Sequence, residues 1–144
     1  MANAFDVAAY ILESKGVMSA MKLQKLVYYS QAWSLVWDDE PLFCNKIEAW
    51  ANGPVVRDLY DKHRGQYQVS KADFQQLALR DLSENQKDTI DQVLDAYSQK
   101  SAQWLSDQTH SEAPWLQARN GLTDADRGDR EISLASMAEY YSSL

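Results

Sequence analysis

"SAMKLQKLVYYSQAWSLVWDDEP" runs from Ser19 to Pro41 and decides the fold. Ser19 suits an N-cap, because its hydroxyl can accept a backbone N–H left over in a first helical turn. Leu23, Leu26, Val27, Trp33, Val36 and Trp37 recur at helical spacing, with Tyr28, Ala32 and Leu35 beside them. Gln24, Gln31 and Asp38 leave only a narrow polar face next to Lys22 and Lys25. A helix apolar on most sides packs against several neighbours, so a central helix is predicted over 19–38. Asp38-Asp39-Glu40-Pro41 ends it, since proline lacks a donor and restricts the residue before it.

Upstream, Asn3 can cap a first helix over 3–15, with Phe5, Ala8, Ala9 and Leu12 inward and Gly16 as its stop. Downstream, "LFCNKIEAWA" changes period. Leu42 and Cys44 alternate with Phe43 and Asn45, then Ile47, Ala49 and Ala51 with Glu48 and Trp50. This predicts a small β-hairpin near 42–51 that turns at Asn45-Lys46. Pro54 suits a first helical turn, so a helix over 54–63 is predicted, with Asn52 or Gly53 at its cap. A short helix follows over 70–80 around Phe74, Leu77 and Ala78. Ser83 and Gln86 form a capping-box pattern before Ile90, Val93, Leu94 and Tyr97. One helix carries Trp104 and Leu105, another starts near Pro114, and Ser133 caps a last one through Met137 and Tyr141. "GLTDADRGDRE" reads as a polar connector and the most mobile segment. The fold class is mainly α: a single domain over 1–144, about six to eight helices around the central one, with one hairpin.

The 144 residues are 45% apolar and 24% charged, an ordinary composition for a soluble globular chain. The net charge of −7 argues against DNA as a partner, because duplex affinity comes from Lys and Arg on phosphates. The charge is uneven: net −1 over 1–68 and −6 over 69–144, so the second half can face a basic partner or simply water. Cys44 is the one cysteine, which fits a reducing cytoplasm, and it is expected to be buried and inert. The N-terminus lacks a basic leader region, and "LVYYSQAWSLVW" is too short and polar to span a bilayer. Five Trp and eight Tyr suit a core or an interface.

No chemistry stands out. "NGPVVR" has one Gly and no Lys, too little for a phosphate loop. Cys44, His63 and His110 have no metal-site spacing. In "DQTHSEAPW", His110 neighbours Asp107, Ser111 and Glu112, all acid–base groups or their partners. Adjacent residues on one loop rarely converge on one substrate, so bracing of the turn before Pro114 is the preferred reading. Asp88, Asp91 and Asp95 share an outward helix face. No catalytic residue, cofactor or metal ligand is assigned.

Three blocks carry a resemblance. "MKLQKLVYYSQAWSL" (Met21 to Leu35) is similar to the signature helix of the Panacea antitoxin domain, the SocA-like family with its phage-associated GepA-type members. Leu42, Phe43 and the run from Ile47 to Tyr60 resemble its next block, "I-E-A-W-x-x-G-P-V-V-x-x-L-Y". Leu105, Ser106, Thr109, His110, Pro114 and Trp115 resemble a third, and Ile132 to Tyr141 the family's ending. The resemblance implies an antitoxin encoded beside a toxin, often on a prophage, that neutralises it by direct protein–protein contact without catalysis. One branch of the family delivers its toxin to a protease, which implies a cellular protease as a further partner. Trp50, Asn52, Gly53, Pro54, Tyr60, His110 and Trp115 are the candidate partner-binding residues, either on the contact face or fixing the scaffold beneath it. The alternatives are a DNA-binding autorepressor, which the charge disfavours, and a hydrolase using His110.

Overall fold

The computed structural model describes residues 2–144. Helix α1 spans Ala4–Lys15, β1 Met18–Ser19 and α2 Ala20–Trp37. Strands β2 (Ile47–Trp50) and β3 (Gly53–Val56) precede α3 (Arg57–His63), and β4 (Gln68–Val69) leads into a 3₁₀ turn at Lys71–Phe74. Then come α4 (Glu84–Tyr97), α5 (Ala102–His110), α6 (Ala113–Ala118) and α7 (Leu134–Ser142).

Helix α2 is the spine, in contact with α1, α4, α5, α7 and β3. Ser19 Oγ accepts the Lys22 N–H at 3.1 Å, and the helix ends at Asp38, before Asp39 takes a left-handed φ of 57°. Its polar line does not face water. Gln24, Lys25 and Gln31 are all buried. Gln31 Oε1 accepts the N–H groups of Leu42 (2.7 Å) and Phe43 (3.3 Å), and its Nε2 donates to the Phe43 carbonyl at 2.8 Å. Gln24 does the same for Val56, accepting its N–H at 2.8 Å and donating to its carbonyl at 3.3 Å. Two glutamines thus supply the backbone of extended chain with the partners a neighbouring strand would otherwise give.

This corrects the predicted hairpin. Leu42 and Phe43 are both buried, so the alternation expected there is absent, and Cys44 is exposed and outside any strand. The hairpin is β2 with β3, in register Ile47↔Val56 to Trp50↔Gly53, and it turns at Ala51-Asn52 rather than Asn45-Lys46. Pro54 lies in β3 opposite Ala49, and the helix predicted from it starts three residues later. The Ala49 carbonyl accepts instead from Arg119 at 2.9 Å, and the Ala49 N–H donates to the Arg130 carbonyl at 2.8 Å, so β2 asks no donor of Pro54. The helix predicted over 70–80 shrinks to its 3₁₀ turn, closed by a Ser70–Asp73 capping box. Beyond it Arg80 gives its N–H to buried Asp6 at 2.8 Å, which holds the chain off helical geometry. Asp6 also completes the Asn3 capping box of α1.

The polar connector has partners too. Buried Arg119 donates to the carbonyls of Ala49, Thr123, Asp126 and Arg127 at 2.6–2.9 Å. The N–H groups of Ala49, Ala51 and Ile132 pair with Arg130, Arg127 and Ile47, so the stretch after Arg127 runs along the free edge of β2. Much of the aromatic inventory is core. Tyr29 stacks on Tyr97 at 4.3 Å and meets Tyr28 and Tyr141 edge-on. The buried Glu112 carboxylate accepts from the Tyr29 and Tyr141 hydroxyls at 2.8 and 2.7 Å, tying α6 to α2 and α7. Burial and this carboxylate hold both hydroxyls protonated well beyond the ordinary tyrosine range. Among the described residues no helix is long and apolar enough to cross a membrane.

Candidate partner-binding face

The β2–β3 turn organises the surface. Gly53 closes it with φ at +117°, a conformation costly for any residue with a Cβ. A Cβ there would lie 2.6 Å from Lys25 Cε, 3.0 Å from Lys25 Nζ and 3.2 Å from Thr109 Oγ1. Gly53→Ala is expected to lower stability by about 1–3 kcal/mol, mostly through the backbone, since the lysine tip can yield. Chemical denaturation reads this directly. An unchanged midpoint would mean that the turn does not need its observed geometry.

Side chains from α5 and α6 brace the turn from behind. Trp115 Nε1 donates to the Trp50 carbonyl at 2.8 Å, and Ser106 Oγ donates to the Asn52 carbonyl at 3.0 Å. The His110 ring lies 4.2 Å from the Trp115 ring. In front of the turn a cleft of about 460 Å³ opens towards α3 and the loop before β4. Trp50 and Tyr60 meet edge to face at 4.7 Å on its floor, and Tyr60 meets His63 at 5.5 Å. Met21, Asn52, Tyr67 and Arg127 line it as well, and Tyr67 is 80% exposed. His63 Nε2 lies 3.0 Å from Gln24 Nε2, which can only donate, so that ring nitrogen is an acceptor and the proton sits on Nδ1. Burial lowers the His63 pKa and favours the same neutral form.

Of the residues singled out from sequence, Trp50, Asn52 and Tyr60 line the cleft. Gly53, Pro54, His110 and Trp115 do not; all but His110 are buried, and they form or brace the hairpin. The groups next to His110 in sequence are engaged elsewhere. Asp107 accepts from Gln103, Ser111 Oγ donates to the Gln108 carbonyl, and Glu112 serves the tyrosines. Sequence reading passed over Gln24, Tyr67 and Arg127 as cleft residues, and Lys25 beneath the turn. Gln24 and Lys25 sit in the first motif block, where their burial against β3 could have been suspected. Tyr67 and Arg127 come from polar loops that give no such signal.

Lys25 is the electrostatic oddity. Its side chain is fully buried and its Nζ has no hydrogen-bond partner. Burial alone pulls its pKa from the usual lysine value down to about 8. His110 Nε2 is likewise buried without a partner, and the His110 pKa is lowered by burial first and by the Lys25 charge second.

The family model for the antitoxin SocA-like, Panacea domain matches residues 23–116, a stretch that contains most of α2, the β2–β3 hairpin, α5 and Trp115. Comparison with curated proteins and with solved structures returns no match. The matched stretch covers well over half of the chain and holds both the spine and the hairpin that it clamps, so the chain belongs to the antitoxin SocA-like, Panacea-domain family.

Proposed function

We propose that this chain is an antitoxin that neutralises a cognate protein toxin by direct binding, with no catalysis of its own. Family membership over residues 23–116 carries the reading. The surface agrees with it. The aromatic cleft before the β2–β3 turn is a concave, largely apolar patch with a few polar groups, the kind of surface that anchors a partner. The groups beside His110 in sequence are engaged with Gln103, the Gln108 carbonyl and the core tyrosines, which favours binding over turnover. Trp50, Asn52 and Tyr60 are the contact residues on this reading, while Gly53, Pro54, His110 and Trp115 fix the hairpin that presents them.

Coexpression with the product of the adjacent gene tests it. That product alone is expected to arrest growth, and this chain is expected to restore growth and to co-elute with the product in a stable complex. A harmless neighbour that forms no complex would sink the proposal. A mobility-shift measurement on the operon's own promoter at low salt is expected to show no tight binding, given the net charge of −7.

A further inference from the structure

The chain has 21 Asp and Glu against 14 Lys and Arg, yet no carboxylate lines the cleft. Its one charged lining residue is Arg127. The guanidinium carbon lies 4.1 Å from the centre of the Trp50 ring and 5.9 Å from that of Tyr60. Among the described residues no carboxylate is within ion-pair distance of Arg127. A guanidinium over an aromatic ring spends no N–H on an oxygen acceptor there and still offers its N–H fork to a carboxylate. Glu48 accepts the Trp50 indole N–H at 2.8 Å and faces Arg57. Asp129 lines a neighbouring hollow together with Arg127 and Trp50 but forms no ion pair with Arg127. Behind the same turn, Lys25 Nζ is buried with no anion beside it. Two cations without a carboxylate partner therefore flank one turn of an acidic chain. The buried one is poorly screened by salt.

We propose that the cleft receives a toxin segment in which an aromatic or large apolar side chain neighbours an Asp or Glu. The side chain packs on Trp50 and Tyr60 beside Tyr67, and the carboxylate takes the Arg127 fork. Naming the toxin as the source rests on the antitoxin reading, while the chemistry of the cleft does not. This inverts the expectation drawn from net charge: the contact inside the cleft is with an acidic segment, whatever the outer acidic surface meets. A nucleotide is the other chemistry with a π-face and negative charge, but its phosphates call for several donors, and the lining offers one cation.

Blocked tripeptides test the cleft without any toxin. The isotope-labelled full chain is titrated with acetyl-Gly-Phe-Asp-amide, acetyl-Gly-Phe-Lys-amide and ADP, following the Trp50 indole and Tyr67 amide resonances. The Asp peptide is expected to shift both by about 10 mM, and the Lys peptide to bind at least about fivefold more weakly. Arg127→Gln is expected to erase that preference, and Tyr67→Ser, at an exposed position, to weaken both peptides without unfolding the chain. Equal response to the two peptides, no response, or response to ADP alone would overturn the proposal. With the toxin in hand, Arg127→Glu is expected to weaken the complex about tenfold or more. A toxin complex indifferent to Arg127→Glu would remove the cleft while leaving the antitoxin reading intact. Peptide preference without a toxin complex would do the reverse.

Discussion

Lys25→Met is expected to make the protein more stable, by about 3 kcal/mol at neutral pH. A fully buried ammonium with no partner is held at a free-energy cost, and its pKa of about 8 against 10.5 for an ordinary lysine measures that cost. Methionine fills a similar volume without the charge. The expected rise in melting temperature is roughly 10 °C. The sign of the pH effect follows. The unfolded chain holds the Lys25 proton more tightly, so below about pH 8 the full penalty applies, and stability is regained as pH rises from about 8 towards 10.5. Tyr28, Tyr29 and Tyr141 act in the opposite sense. Burial raises their pKa values, so their contribution is intact below 10 and is lost as pH climbs past it. Wild-type stability is therefore expected to rise between pH 8 and 10 and then to fall. Lys25→Met should remove the rise and keep the fall. Urea titrations across that range check both. A variant less stable than wild type at pH 7 would show that Lys25 holds the turn by a bond that outweighs its desolvation.

Gln31→Leu is expected to act in the other direction and at least as strongly. The amide serves the N–H groups of Leu42 and Phe43 and the carbonyl of Phe43, all in the dry interior against α2. Leucine conserves most of the volume but leaves up to three backbone groups unpaired, at about 1–3 kcal/mol for each one that finds no water. A total loss of roughly 3–5 kcal/mol is expected, enough to unfold a marginal domain. Gln31→Glu is the informative companion. Its carboxylate can still accept both N–H groups but cannot donate to the Phe43 carbonyl. If Gln31→Leu unfolds with the wild-type midpoint, the clamp contributes nothing and the extended segment is held by Leu42 and Phe43 packing alone.

The same glutamines show where sequence reading stopped. The spine was legible because its evidence is local: a Ser19 cap, apolar positions around most of the helix and a proline just beyond it. Gln24, Gln31 and Lys25 read as a polar face because helical periodicity sorts residues by polarity and cannot say who answers a buried amide. The answers come from backbone at positions 42, 43 and 56, and backbone leaves no trace in composition. The hairpin was displaced for a related reason. Pro54 reads equally well as a first helical turn or as a strand residue asked for no donor, and the groups of Ala49 opposite it are met by Arg119 and Arg130, far along the chain. Part of the cleft was visible in one motif block, through Trp50, Asn52 and Tyr60. Arg127 and Tyr67 were not, since a loop arginine and a loop tyrosine look the same in sequence wherever they fold back.

The clamps also bear on how such a scaffold can diversify. Gln24 and Gln31 grip main chain, which every residue except proline supplies in full, so they fix the course of the extended segments without dictating the side chains those segments carry. An outward position such as Lys46 can then be rewritten while the frame beneath it stays put. One set of interior residues can in this way support many different outer faces.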